Sequence, residues 1–126
     1  MPSHQFDNNI LNYELTGHYT LEDYKNGLNE ALSDPSFHKG TKLLIDARNS
    51  AANFTYAEAE ARVRILGSIV GQLDRQIALV VHGTFHYGLA RMFSTIAECR
   101  GLRIAIFDDV EPARKWLLGE DQFDLE

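Results

Sequence analysis

The 126-residue sequence has little cysteine, little positive charge and no long apolar run. Its single cysteine, Cys99, cannot form an internal disulfide, which agrees with a reducing compartment, so we expect a cytoplasmic protein. Lys and Arg together number 12 against 18 Asp and Glu, and the net charge of -6 disfavours a nucleic acid as partner. Because apolar runs are short and the N-terminus is polar, we expect neither a membrane-spanning segment nor a signal peptide.

The composition that remains is that of an ordinary globular protein, with 44% hydrophobic and 24% charged residues. A chain of this length buries about two thirds of the surface that its unfolded form exposes, so it needs no disulfide or metal to fold. We therefore predict a single domain over residues 1–126, in which residues 119–126 form an acidic, frayed tail, and we expect no cofactor.

The N-terminal part of the chain predicts a hairpin followed by a helix. Residues 3–7 and 10–16 have strand patterns, and the pair Asn8-Asn9 between them tolerates left-handed turn geometry. Apolar residues recur at helical spacing after Thr20, a residue typical of a helix N-cap.

Two segments predict strands that are buried on both faces: residues 77–81, an unbroken apolar run, and residues 42–47, KLLIDA, which have a similar pattern with Asp46 at the carboxyl end. A polar loop at 48–50 follows residues 42–47, and a polar turn at 82–84 with a helical pattern follows residues 77–81. Polar groups in such a turn lie at the carboxyl end of a strand, where open α/β sheets usually hold their sites. The segment 76–93 is therefore the place to look for function.

A long second helix is predicted over residues 56–73. Thr55 and Glu58 have the spacing of a capping box at its start. Ile65 and Ile69 widen its apolar stripe, which we interpret as a broader core contact rather than a partner surface.

The third helix is predicted over residues 85–100, after a solvated turn at 74–75 and the strand that follows it. We expect Thr84 to cap this helix and Cys99 to lie on its apolar face.

The chain then has a strand pattern over residues 102–107 and a helix over 110–118, which Asp108 or Asp109 caps. Strands that alternate with helices imply parallel pairing through right-handed crossovers, to which the hairpin adds one antiparallel edge strand. We predict an α/β fold of element order ββαβαβαβα, with a mostly parallel five-stranded sheet and four helices.

Several pieces of the sequence resemble the SpoIIAA-like branch of the STAS superfamily. They are LLIDAR before a capped helix, IALVV followed by HYGLARMF, and IFDDVEPARKWL near the end, and the resemblance spans residues 6–118. It implies sequentially ordered strands wound with their helices as a βα superhelix. The resemblance also implies a small bacterial protein with a regulatory or protein-interaction role. It does not imply any particular chemical reaction.

In the anti-sigma-factor antagonists of that superfamily, a partner kinase phosphorylates a serine at the N-terminus of the second helix, in a pattern close to Asp-Ser-Ser-Gly. The corresponding stretch here, residues 53–56, reads Asn-Phe-Thr-Tyr, lacks the glycine and offers only the Thr55 hydroxyl. Thr55 is therefore the phosphorylation candidate. Its capping role explains the same residue, and we favour a structural cap over a phospho-switch.

Three polar residues, Asp46, His82 and Asp108, are expected at one edge of the sheet, because the carboxyl ends of parallel strands meet there. His82 and His86 flank a glycine turn and lack the spacing of a helical H-E-x-x-H metal motif. We therefore predict no catalytic residue and no metal site. Metal binding or acid–base chemistry with Asp46 is the less favoured alternative.

Aromatic residues near the same edge suggest an apolar pocket. Phe54, Phe85 and Tyr87 would line it, or would simply seal the ends of the helices. Arg91, one turn into the third helix, would hold an anionic group there. The candidate ligand-binding residues are thus Asp46, Phe54, His82, Phe85, His86, Tyr87 and Arg91.

The sequence is compatible with two function classes. The first is a non-enzymatic regulatory or protein-interaction module, with another protein or a second copy of itself as partner. The alternative is a carrier or sensor of a small lipophilic ligand at the carboxyl edge of the sheet. An enzyme ranks third, because no catalytic motif in the sequence is specific.

Overall fold

The structure is a computed structural model that describes residues 2–51 and 55–119, without the side chains of Arg75, Thr84 and Phe85. Five strands form one sheet in this part of the chain. The strands are β1 (Pro2–Asp7), β2 (Ile10–Gly17), β3 (Thr41–Ser50), β4 (Leu73–Val80) and β5 (Arg103–Phe107). They lie side by side in chain order, with β1 antiparallel to β2 and every other pair parallel. The predicted α/β fold with its antiparallel edge strand is confirmed.

The described residues also form four α-helices, each of which follows the carboxyl end of a strand. They are α1 (Leu21–Leu32), α2 (Tyr56–Ile69), α3 (Thr84–Glu98) and α4 (Val110–Leu118). A capping box starts α1, in which the Thr20 hydroxyl accepts from the Asp23 N–H at 3.0 Å and the Asp23 carboxylate accepts from the Thr20 N–H at 3.1 Å. No described helix has the length and apolarity that crossing a membrane requires.

The two faces of the sheet are covered by different helices, because successive side chains of a strand point to opposite sides. Leu43 and Ile45 belong to the larger core, which also contains residues of α1, α2 and α3. Leu44 and Val80 belong to a smaller core on the other side, where Leu117 of α4 packs. We call these sides the α1–α3 face and the α4 face.

The third strand is longer than the sequence predicts. Residues 48–50, expected as a loop, continue β3, and Thr16 and Gly17 of β2 pair with Asn49 and Ser50 after a shift in register. Their polar side chains suggested a loop, but backbone pairing with the neighbouring strand keeps this segment extended.

The second helix is shorter than the sequence predicts. It ends at Ile69 rather than at residue 73, a 3-10 turn spans Val70–Gln72, and Leu73 begins β4. The expected turn at 74–75 therefore lies inside a strand. Leu73 fits the helical spacing of α2 and also suits a buried strand position, so spacing alone could not separate the two.

The structure confirms that the broad apolar stripe of the second helix contacts the core, and it differs from the sequence prediction at the two ends of the third helix. Ile69 is buried and Ile65 packs against the larger core, so the broad apolar stripe of α2 is a core contact. Gly83, with a φ of 85°, is the N-cap of α3, so Thr84 is its first residue and not its cap. Cys99 was expected on the apolar face of α3 but is exposed, because the helix ends before it.

Candidate functional site

An open apolar pocket lies on the α1–α3 face, between the sheet and the three helices. Its volume is about 60 Å³. Apolar side chains of β2, β3, β4 and α3 form most of its wall, among them Leu15, Ile45, Leu79 and Phe93. The residues with polar groups that line it are Tyr19, Tyr24, Ser50, Arg62 and His86.

Arg62 brings a buried positive charge to the wall of this pocket. Arg62 is only 6% exposed, although it lies on α2, where most charged residues face solvent. Its Nη1 donates to the carbonyl oxygen of Glu58 at 3.0 Å, and its guanidinium carbon lies 5.9 Å from the centroid of the Tyr24 ring. The cation–π contact and the carbonyl bond fix the guanidinium next to Tyr24.

Tyr24 carries a buried hydroxyl for which the described part of the chain supplies no hydrogen-bond partner. The residue is 2% exposed, and burial, with a smaller contribution from Tyr13, raises the pKa of its phenol, so the hydroxyl stays protonated. A buried polar group without a partner costs about 1–3 kcal/mol. Tyr24, whose ring lies under the Arg62 guanidinium, therefore carries a buried donor that has no partner among the described residues.

Polar groups also mark the part of the pocket nearest the carboxyl edge of the sheet. The Ser50 hydroxyl, at the end of β3, donates to the Tyr19 hydroxyl at 3.2 Å. His86, in the first turn of α3, has its Nδ1 3.1 Å from the carbonyl oxygen of His82. Because a carbonyl oxygen only accepts, this bond requires the proton on Nδ1.

Large apolar side chains are exposed at the start of each helix on this face. Leu21 of α1 is 39% exposed, Tyr56 of α2 61% and Tyr87 of α3 48%. All three helices begin at the carboxyl edge on the same side of the sheet, so these residues belong to one end of the molecule. We call them the helix-start surface.

The α1–α3 face holds part of the set of candidates that the sequence suggests. His86 lines the apolar pocket, and Tyr87 belongs to the helix-start surface. Arg91 is exposed and is not among the residues that line the pocket. Phe85 lies in the first turn of α3 but its side chain is outside the description, and Phe54 lies outside the described residues altogether.

Asp46 lies on the opposite side, the α4 face, where it forms an ion pair with Arg48. Arg48 Nε donates to Asp46 Oδ1 at 2.9 Å and Nη2 donates to Oδ2 at 2.8 Å. Burial alone would raise the pKa of Asp46, but the hydrogen bonds and charge of Arg48, with a smaller contribution from His82, hold it below its usual range. His82 and Asp108 are exposed.

A polar groove surrounds this ion pair on the α4 face, beside the start of α4. Its volume is about 380 Å³. The polar residues that line it are Ser3, His4, Gln5, Asn12, Glu14, Asp46 and Arg48. The sheet thus separates Asp46 from His86, so these two candidates do not belong to one site.

Thr55 caps α2 through its hydroxyl and its backbone. The Thr55 hydroxyl accepts from the Glu58 N–H at 3.3 Å, and a Glu58 carboxylate oxygen accepts from the Thr55 N–H at 2.8 Å. The backbone bond and then the hydroxyl bond to Thr55 lower the pKa of Glu58. A phosphate on Thr55 would meet this carboxylate, so the geometry favours the capping role.

Histidine, cysteine and carboxylate side chains do not gather into a group of three or more that could hold a metal ion anywhere in residues 2–51 and 55–119. The expectation of no metal site stays a prediction for the whole chain.

A solved structure with a similar fold is the crystal structure of an uncharacterized protein of the DUF3478 family, with a SpoIIAA-like fold, from Shewanella loihica PV-4. The TM-score is 0.61 at 18% sequence identity, over 93% of this chain and 92% of the other. The chain therefore has a SpoIIAA-like fold, as the resemblance in sequence predicts. No protein-family model and no curated protein matches it.

Among the described residues that line the pocket, His86 was a candidate from the sequence, whereas Arg62 and Tyr24 were not. Arg62 follows Ala59 by three positions and precedes Leu66 by four, which places a charge on the apolar stripe of α2, and this spacing could have revealed it. Tyr24 is recognisable as a core residue, but whether its hydroxyl has a partner depends on contacts between α1 and the rest of the fold.

Proposed function

We propose that this protein is a non-enzymatic carrier or sensor of a small lipophilic ligand, which binds in the apolar pocket of the α1–α3 face. The observation that carries the proposal is an open apolar pocket whose wall includes a buried polar group, at the carboxyl edge of the sheet. Ligand sites are typically apolar concavities with a few polar groups that fix orientation, and α/β sheets hold them at this edge.

The arrangement of acidic and basic groups supports a binding role rather than catalysis. Asp46 is paired with Arg48 on the α4 face, whereas His86 lines the pocket on the other side. General acid–base catalysis needs such groups within hydrogen-bond reach of the same substrate atom.

The volume of the pocket limits the size of the ligand. At about 60 Å³ it is well below the engineered cavity of about 150 Å³ that accepts benzene. The pocket therefore encloses less than a benzene ring, and the rest of an apolar body of about four to eight carbon atoms would extend through the open side.

A titration of the ¹⁵N-labelled protein with straight-chain carboxylates, amides and alcohols of four to eight carbons tests the proposal. We expect at least one series to shift amide signals of β3, β4 and α3 around the pocket. Ala90→Leu should fill the pocket and abolish these shifts, whereas Ala57→Leu, at an exposed position of α2, should leave them unchanged. Absence of binding by every series, or equal binding to Ala90→Leu, would refute it.

A second candidate is a regulatory or protein-interaction module, which the helix-start surface favours. Leu21, Tyr56 and Tyr87 expose apolar area at one end of the molecule, and aromatic residues are enriched at protein interfaces. If a second copy binds there, sedimentation should reveal a concentration-dependent dimer that Tyr56→Ser and Tyr87→Ser weaken. A monomer at every concentration would refute self-association through this surface.

A further inference from the structure

We propose that β1 is a docking edge, at which a basic segment of another protein adds to the five-stranded sheet as a further strand. This interaction uses the outer edge of the sheet and does not depend on the ligand pocket.

One side of β1 carries backbone groups that the sheet does not use. Residues 8–9, both with positive φ, form a two-residue turn that the pair Asp7 and Ile10 closes with hydrogen bonds. Because bonded and non-bonded pairs alternate along an antiparallel ladder, every second residue of β1 turns its backbone away from β2. These residues are Pro2, His4 and Phe6. Proline lacks an N–H, so the outward donors are the two N–H groups of His4 and Phe6.

The opposite edge of the sheet, β5, is partly closed by a side chain. The Phe107 carbonyl accepts from the Val81 N–H at 2.9 Å, so the alternate residues Ile104 and Ile106 turn their backbones outward. The Ser94 hydroxyl donates to the outward carbonyl of Ile104 at 2.8 Å. Native proteins commonly protect an edge strand in such ways. The described residues make no such bond to the outward groups of β1, which is therefore the edge that is open to a further strand.

A row of carboxylates on α1 lies beside the open edge. Gly27 marks the side of α1 that packs on β1, since a Cβ there would lie 2.9 Å from the Cβ of Pro2. Asp23 and Glu30 are four positions before and three after Gly27, so they lie on the same side of the helix. We call this side of α1 the acidic row.

A third carboxylate extends the acidic row past the end of α1. Asp34 has its Oδ2 3.0 Å from the Nε2 of His4, which places this carboxylate next to β1. A strand added to β1 turns every second side chain to the face that α1 covers. Lys or Arg at those positions would meet the carboxylates, so the charge of the edge selects a basic segment.

A second copy of the chain fits the same edge less well. Gly27 meets Pro2 of β1 and Tyr13 of β2, so α1 packs over both strands. Strands in a sheet are about 4.8 Å apart, so a two-fold axis beside β1 would bring the two α1 helices to about 10 Å from each other. The acidic rows of the two copies would then face each other and repel.

Three six-residue peptides, titrated into the ¹⁵N-labelled full chain at pH 7 and low salt, test the proposal. Acetyl-KVKVKV-amide presents lysines on one face of a strand. Acetyl-EVEVEV-amide reverses the charge, and acetyl-KVKPKV-amide keeps it but contains a proline, which removes a donor for strand pairing. We expect the first peptide to bind about tenfold more tightly than either of the others. It should shift the amide signals of His4 and Phe6 and protect both amides from hydrogen exchange.

Two pairs of variants assign the binding to the edge and to its charge. His4→Pro removes an outward N–H where an edge strand tolerates proline, and should weaken acetyl-KVKVKV-amide about tenfold. His4→Ala is the matched control, because it loses the same ion pair with Asp34 and keeps the N–H, so its affinity should stay close to that of the unmodified chain. Glu30→Lys should weaken binding severalfold, whereas Glu98→Lys, the same change at the exposed end of α3, should have little effect.

The possible outcomes each support or overturn the proposal. Equal binding of all three peptides, or binding that shifts no signal of β1, would overturn it. Equal binding of the lysine and glutamate peptides would refute a basic partner. If no peptide binds at millimolar concentration, this proposal fails and the proposed function is unaffected. A concentration-dependent dimer of the chain alone that His4→Pro abolishes would assign the edge to a second copy instead.

A failure of His4→Pro to fold would not prevent a decision. In that case Glu30→Lys and the proline-containing peptide still test the charge and the strand pairing separately. Unchanged affinity in both would overturn the proposal.

Discussion

The two faces of the sheet surround a buried charge with different groups. On the α4 face, Asp46 receives two side-chain hydrogen bonds from Arg48, so both charges are compensated within one strand. On the α1–α3 face, Arg62 lies over the Tyr24 ring, and its Nη1 donates to the Glu58 carbonyl oxygen at 3.0 Å. The face with the larger polar groove thus pairs its buried charge with an opposite charge, whereas the described contacts of the buried charge beside the smaller apolar pocket are an aromatic ring and a backbone carbonyl.

The largest effect is expected where α1 packs closely on the strands of the α1–α3 face. A Cβ at Gly27 would overlap the Tyr13 hydroxyl and lie 2.9 Å from the Cβ of Pro2. Gly27→Ala should therefore lower the free energy of unfolding by about 3 kcal/mol. Gly67→Ala is the matched control, since nothing lies within 4 Å there and the change should raise stability by about 0.5–1 kcal/mol. Urea denaturation measures both, and equal effects would contradict the close contact.

Removing the carboxylate on the α4 face should have the next largest effect. Asp46→Asn leaves the Arg48 guanidinium without its ionic partner and should cost about 2 kcal/mol at pH 7. Because the pKa of Asp46 is lowered in the folded state, its contribution is present above the unfolded value of about 3.9 and is lost as the pH falls through the folded pKa. Denaturation between pH 7 and pH 2 should show a weaker acid dependence in Asp46→Asn. An unchanged dependence would mean that the ion pair does not form.

A smaller effect is expected at Thr55, the N-cap of α2. The variants there distinguish a structural cap from a phosphorylation site. Thr55→Ala should lower the free energy of unfolding by about 1 kcal/mol, and Thr55→Ser should restore most of it, because serine caps equally well. A loss of stability in Thr55→Ala that is not accompanied by a change in any phosphorylation-dependent property supports the capping role. Incorporation of phosphate at Thr55 by a kinase, detected by mass spectrometry, would revive the phospho-switch.

The smallest effect should come from two neighbouring tyrosines on the α1–α3 face. The rings of Tyr13 and Tyr24 meet edge to face at 5.9 Å, and the Tyr13 hydroxyl donates to the Tyr24 carbonyl at 2.6 Å. Tyr13→Phe should cost about 1 kcal/mol, whereas Tyr24→Phe should change stability by less than about 0.5 kcal/mol without ligand, since its hydroxyl has no described partner to lose. Equal losses in thermal or urea denaturation would show that the Tyr24 hydroxyl is paired in solution.

The order and type of the elements could be predicted from the sequence, because buried strands and amphipathic helices have different apolar periods. Boundaries were predicted less well wherever two patterns coincide. Leu73 suits either the end of a helix or the start of a strand, and residues 48–50 are polar although they belong to β3. In such places the pairing of neighbouring strands decides, and pairing is not written in local spacing.

The candidate site was predicted in its location more than in its residues. The carboxyl edge was expected from the parallel strands, but the faces were not separated, so Asp46 and His86 were grouped although the sheet lies between them. Arg48 was taken for a loop residue, which hid its ion pair: residues two apart in a strand share a face. Arg62 was not among the candidates, although its spacing from Ala59 and Leu66 places it on the apolar stripe of α2.

The position of α4 at the C-terminal side of all five strands affects how the protein is made. Leu44 and Val80 belong to the core that Leu117 of α4 completes, while the core of the α1–α3 face consists of residues that precede α4 in the chain. During synthesis the apolar α4 face of the sheet must therefore stay uncovered until α4 has left the ribosome. A nascent chain arrested shortly before residue 110 should be held by chaperones or aggregate, whereas one that extends past Leu118 should be released folded.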